Sequence, residues 1–173
     1  FFAASEQALG LPTILVNNAG ILKEAPLAKT AVLDFDRVIA VNLRGAFLAS
    51  RAFVRSSKSG RIIFIASDLG VLDRAGMVAY CASKGAIISM TRGLAHEFAP
   101  DILVNAVVPG SIATDMTSPE SMSPEALAKD LATPLARFGE PEVIASMVSY
   151  LASSDSKFIT GQCFGVNGGS IMH

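Results

Sequence analysis

The chain has 173 residues, of which 51% are apolar and 17% charged, and its formal net charge is -1. This excludes disorder and is enough for a single domain, residues 1–173, with its own core. With no basic stripe, no cationic amphipathic helix and no apolar run near the ~18 residues of a spanning helix, neither nucleic acid nor membrane is an expected partner.

Residues 1–10 read as the end of a helix, stopped by Gly10 and Pro12. The start, Phe1-Phe2-Ala3-Ala4, has no Met and looks like the middle of a helix, so it reads as an internal point of a longer protein. Thr13-Ile14-Leu15-Val16 is a short buried strand, and Asn17-Asn18-Ala19-Gly20 supplies turn chemistry at its end. Residues 21–33 are a mixed loop. From Asp34 to Arg55, apolar residues recur at three- and four-residue steps, which predicts one long helix. Asn42 falls on its apolar face, where an asparagine most often bonds a backbone group in the core. Arg61 to Ala66 is a second strand.

Ser67 follows that strand, and a helical pattern over Val78 to Phe98 carries Tyr80 and Lys84 four residues apart on one face. A fixed ammonium favours an ionised phenol, so Lys84 is expected to draw the Tyr80 pKa down towards the working range. Residues 102–108 form a nearly unbroken apolar run, as in a parallel strand buried on both faces. Pro109-Gly110 stops it. Residues of about 111–135 lack a clean period and read as a lid with short helical pieces. Its Met116, Met122 and Leu127 suggest an apolar or mixed pocket. Glu140-Pro141-Glu142 opens a helix to about Leu151, and a last strand lies near 162–166, before Asn167-Gly168-Gly169.

Strands alternating with helices indicate an α/β, doubly wound parallel sheet, whose ligands bind at the C-terminal strand ends. Asn17 to Gly20, Ser67 onward and Pro109 to Thr114 all stand at such ends. The two cysteines, Cys81 and Cys163, form no Cys-x-x-Cys, and read as free thiols of a reducing, cytoplasmic compartment. His96 and His173 have no metal-ligand spacing. With two tyrosines and six lysines in the chain, Tyr-x-x-x-Lys arises by chance in roughly 0.07 cases.

Taken together, Asn17-Asn18-Ala19-Gly20, Val41-Asn42-Leu43, Ser67 thirteen residues before Tyr80-Cys81-Ala82-Ser83-Lys84, Val104-Asn105-Ala106-Val107-Val108-Pro109-Gly110, Thr114 and Val166-Asn167-Gly168-Gly169 resemble the short-chain dehydrogenase/reductase family. The closest look is to 3-oxoacyl-acyl-carrier-protein reductases. The resemblance implies a Rossmann-like fold and an oxidoreductase interconverting a small ketone and a secondary alcohol by hydride transfer with NAD or NADP. It implies Tyr80 as general acid/base, Ser67 as the group positioning the substrate oxygen, and Lys84 as the group tuning Tyr80 and holding the nicotinamide ribose. Asn42 would anchor, through its backbone, a water leading protons to Lys84. Asn17, Ala19 and Gly20 would flank the adenosine side and steady the strand. Pro109, Gly110, Ile112 and Thr114 would meet the nicotinamide. The family's Thr-Gly-x-x-x-Gly-x-Gly turn does not occur in these residues, which correspond to the C-terminal part of the fold without its first strands. The strand at 13–17 is therefore expected to show an edge, and the 173 residues alone to hold cofactor weakly or not at all. Pairing of the helices at 34–55 and 79–98 across a two-fold axis would build a homotetramer or homodimer. The alternative is a catalytically idle family member serving as a binding or oligomerisation module.

Overall fold

The computed structural model describes residues 2–172. The expectations for Phe1 and His173 lie outside the described residues.

Four parallel strands, β1 (Ile14–Asn17), β2 (Gly60–Ile65), β3 (Ile102–Pro109) and β4 (Cys163–Val166), lie side by side in chain order. Among the described residues the α-helices are α1 (Phe2–Leu9), α2 (Val32–Ile39), α3 (Ala46–Ser56), α4 (Leu69–Leu72), α5 (Val78–Phe98), α6 (Pro124–Leu131) and α7 (Pro141–Ala152). The turn between α5 and β3 contains a cis Ala99–Pro100 bond.

The alternation of side chains along each strand divides the core in two. Ile62 and Phe64 of β2, with Val104, Ala106 and Val108 of β3, face Phe53 of α3 and Ile87, Ile88 and Ala95 of α5. Ile63 and Val107 point the other way, onto Leu151 of α7 and its neighbours Ile144, Met147 and Val148. Helices thus cover both faces, and the run at 102–108 is apolar because neither face meets water. Asn105 is the polar member of that run. It is buried, donates to the Ile159 carbonyl at 2.9 Å and accepts from the Gln162 N–H at 3.0 Å, which ties the approach of β4 to β3.

β1 is an edge strand among the described residues, as its expected role implies. Leu15 packs on the core, whereas Ile14 and Val16 are exposed.

Two elements differ from the sequence expectation. The helix expected from Asp34 begins at Val32 and carries a π-helical turn, Ala40–Gly45, before continuing as α3. Its N-cap is Ala31 in extended geometry, with no capping side chain to mark it, and Asp34 sits in the first turn, where an acid meets the helix's positive end. The four-residue α4 was not expected at all, because one helical turn is too short to show a period. The lid contains a 3-10 turn, Pro119–Ser121, and α6, which Ser123 caps by accepting from the Ala126 N–H at 3.2 Å.

Candidate active site

Parallel strands bring their C-terminal ends to one side of the sheet, and the special residues collect there. The register aligns the ends of β2, β3 and β4, and the pairing continues past them. The Ala66 N–H donates to the Val107 carbonyl, that of Asp68 to Pro109, and that of Gly110 to Val166. Ser67 is therefore held on a braced turn. Tyr80 and Lys84 arrive from the first two turns of α5. That helix is held against the β2 end by close contact with α4: a Cβ on Gly70 would lie 2.8 Å from the Gly85 nitrogen and the Lys84 carbonyl carbon.

A cleft of about 770 Å³ opens at these ends, with Ser67, Tyr80 and Lys84 on its wall. Of the other expected residues, Ala19, Gly20, Pro109, Gly110, Ile112 and Thr114 also line it. Two do not. Asn17 turns its amide to the Ser50 hydroxyl of α3 at 3.2 Å, a brace between strand and helix. Asn42 is buried behind the cleft. Its Oδ1 accepts from the Ile21 N–H at 2.8 Å, and its Nδ2 donates to the Ile21 carbonyl at 3.0 Å and to Ser83 Oγ at 3.1 Å. The Ser83 hydroxyl donates in turn to the Tyr80 carbonyl at 2.7 Å. Asn42 thus clamps the segment after Gly20 to the helix of Tyr80 and Lys84. This side-chain role is the core-asparagine reading; the π turn around it is the kind of local irregularity often found at functional sites.

Lys84 is 5% exposed. Its Nζ donates to the Ile65 carbonyl at 2.7 Å and lies 5.7 Å from the centre of the Tyr80 ring. Burial lowers its pKa to about 8. Tyr80 does not follow the expected direction. Its phenol is raised, chiefly by burial; its hydrogen bond with Ser67 opposes the rise, and the Asp68 carboxylate adds to it. Burial outweighs the opposing hydrogen bond with Ser67. The result is a protonated phenol beside the Ser67 hydroxyl, a proton-donor arrangement.

A second chamber of about 520 Å³ adjoins the cleft and shares Ser67, Tyr80 and Gly110 with it. Met116 and Met122 line it as expected, but Leu127 does not, and its wall also holds Asp68, Arg74 and Asp130. Arg74 and the buried Asp130 form an ion pair joining the lid helix α6 to the loop before α5. Sequence reasoning missed these three residues and the wall formed by Ile144 and Val148 of α7. The Ser-Asp pair at the end of β2 was a visible signal; the partners 56 residues apart were not. Among the described residues no cluster of His, Cys, Asp or Glu is arranged to hold a metal, and no helix is long and apolar enough to cross a membrane.

The site also fits a bound dinucleotide at its nicotinamide end. Lys84 spends one of its three donors on Ile65 and lines the cleft. Gly20 leaves the ammonium accessible, since a Cβ there would stand 3.5 Å from Nζ.

The family described as enoyl-(acyl carrier protein) reductase matches residues 1–170. A 3-oxoacyl-[acyl-carrier-protein] reductase of Thermotoga maritima is 40% identical over 172 residues, covering 96% of this chain and 69% of that protein. Among solved structures, a blue fluorescent protein from a metagenomic library, in complex with NADPH, is 38% identical with a TM-score of 0.92, over 99% of this chain and 70% of that one. A short-chain dehydrogenase/reductase, glucose/ribitol dehydrogenase, from Brucella melitensis is 34% identical with a TM-score of 0.87, over 99% and 69%. The chain thus spans about two thirds of the length of the proteins it matches.

Proposed function

The chain belongs to the short-chain dehydrogenase/reductase family of NAD(P)-dependent oxidoreductases, and from that premise we propose that it interconverts a small ketone and a secondary alcohol, with Tyr80 as general acid/base. The observation that carries this reading is the meeting of Ser67, Tyr80 and Lys84 on one cleft wall.

When bound, the nicotinamide supplies the hydride. The residues of this chain do the rest. Ser67 and Tyr80 hold the substrate oxygen between two hydroxyls, so that the carbonyl is fixed and polarised at once. As the carbonyl carbon is reduced, the phenol gives its proton to the developing alkoxide; in alcohol oxidation it takes the proton back. Lys84, whose Nζ lies 5.7 Å from the centre of the Tyr80 ring, would stabilise the transient phenolate and offer its remaining donors to the ribose hydroxyls. Ala19 and Gly20 would border the nucleotide on one side, and Ile112 and Thr114 at the nicotinamide end. Pro141, Ile144 and Val148 add apolar surface to the lining of the cleft.

Tyr80→Phe tests the reading. In the enzyme carrying this chain, turnover should fall by at least ~10³-fold with cofactor affinity nearly unchanged. Loss of cofactor affinity with preserved chemistry would overturn the proton-donor role.

A further inference from the structure

Asp68 stands next to the serine that meets the substrate oxygen, and its carboxylate is buried on the chamber wall. Ser67 Oγ donates to its Oδ1 at 3.3 Å, and Ser170 Oγ, from the last segment of the chain, donates to its Oδ2 at 2.7 Å. Among the described residues no salt bridge reaches the carboxylate: Arg74, on the same wall, is bound to Asp130 instead. Burial raises the Asp68 pKa, and Ser170, Ser67, the Leu69 N–H and Arg74 only partly offset this. Such a carboxylate gains from one more donor, and it lines the chamber, from which a substrate supplies one.

The rest of the wall says which donor. From the lid, Thr117, Ser118, Ser121 and Ser123 line the chamber, with Ser118 donating to Glu120 and Ser121 to the Ser118 carbonyl. The wall carries four carboxylates, Glu24, Asp68, Glu125 and Asp130, against Arg74, already bound to Asp130, and Lys129, so an anionic substrate group is disfavoured there. A hydroxyl suits the Asp68 carboxylate without the cost of desolvating a second charge. Its position follows from Ser67. Ser67 has a single proton; when it turns from Asp68 Oδ1 to the reacting oxygen, Oδ1 loses its donor, and a hydroxyl on the next carbon takes that place. The two oxygens of a vicinal pair are separated by about as much as Ser67 Oγ and Asp68 Oδ1.

We propose that Asp68 is a specificity-determining residue that accepts a hydrogen bond from a hydroxyl on the carbon next to the reacting carbonyl. The substrate class is then a small α-hydroxy ketone and the corresponding vicinal diol. The inference rests on Ser67 and Tyr80 being the reacting pair.

The test uses the enzyme carrying this chain, with NADH or NADPH supplied, and the probes 1-hydroxy-2-butanone and 2-butanone. The hydroxy ketone should be favoured in kcat/KM by about tenfold or more, the worth of one charge-assisted hydrogen bond. Asp68→Leu should bring the ratio to near parity, and Asp68→Asn, which keeps an acceptor and the shape, should leave an intermediate ratio. A second readout does not need turnover. In Tyr80→Phe, where chemistry is stopped, NMR titration should show 1,2-butanediol binding more tightly than 2-butanol, and a further Asp68→Leu change should remove the difference. Parity in the unaltered enzyme, or a preference that survives Asp68→Leu, overturns the proposal. A diol preference that depends on Asp68 in a protein that turns over neither ketone supports it, and counts instead against the proton-donor reading of Tyr80.

Discussion

Lys84 holds a charge where charge is costly. Its ammonium is buried, bonded to one carbonyl, and titrates near 8 instead of at the usual 10.5. Below about pH 8, folded and unfolded chains both carry the proton. Between about 8 and 10.5 only the unfolded chain does, so raising the pH favours the fold across that window. Tyr80 and the cysteines Cys81 and Cys163, whose pKa values are raised by burial, act in the opposite sense at higher pH. The Lys84 contribution is therefore isolated by difference. Urea denaturation of the unaltered protein and of Lys84→Met, at intervals from pH 7 to 10.5, should show the unaltered protein gaining stability relative to the variant. A flat difference would remove the buried-ammonium account. The same protonated ammonium at neutral pH is what the phenolate requires in the proposed reaction.

At the scale of elements, the site depends on how closely α4 and α5 approach. Gly70 and Gly85 face each other where the short helix crosses the long one, and no side chain fits between them. Gly70→Ala places a methyl within 2.8 Å of backbone atoms at Lys84 and Gly85. Those atoms cannot rotate away, so α4 and α5 must separate, shifting Tyr80 and Lys84 relative to Ser67. We expect a loss of about 1–3 kcal/mol, the range for overpacked sites, together with a drop in kcat larger than any change in cofactor affinity. Thermal denaturation and steady-state kinetics check the two parts. Full stability and activity in the alanine variant would mean that the crossing is looser than described. Asn42 works at the same scale from the other side, fixing the loop after Gly20 to α5 through Ser83.

For the whole molecule, the surface left by α2 and α3 is the outstanding feature. Val32, Leu33, Phe35, Phe47 and Leu48 are all exposed, and Val78 at the start of α5 adds to them. Large apolar side chains gathered on neighbouring helices are the mark of an interface. The proposed pairing of these helices about a two-fold axis accounts for them, although most of the α5 residues beyond Val78 are buried or polar. Light scattering should give a dimer or tetramer, and Phe47→Asp with Leu48→Lys should shift it towards monomer. A monomer throughout the working concentration range would refute the pairing.

Sequence by itself determined what is local and periodic. Nearly unbroken apolar runs marked β2 and β3, because a strand covered on both faces has few polar positions to spare. The four-residue step from Tyr80 to Lys84 put both on one helical face, and parallel strands sent Gly20, Ser67 and Thr114 to the same side of the sheet. Tertiary structure decided what depends on burial and on partners far along the chain. Asp68 and Ser170 are 102 residues apart, and Arg74 and Asp130 are 56 apart. No spacing rule joins such pairs, since only the packed fold brings them together. The direction of the Tyr80 shift belongs here too. The motif shows a neighbouring ammonium, but only the fold shows that it is turned to Ile65 and that the phenol has lost its water.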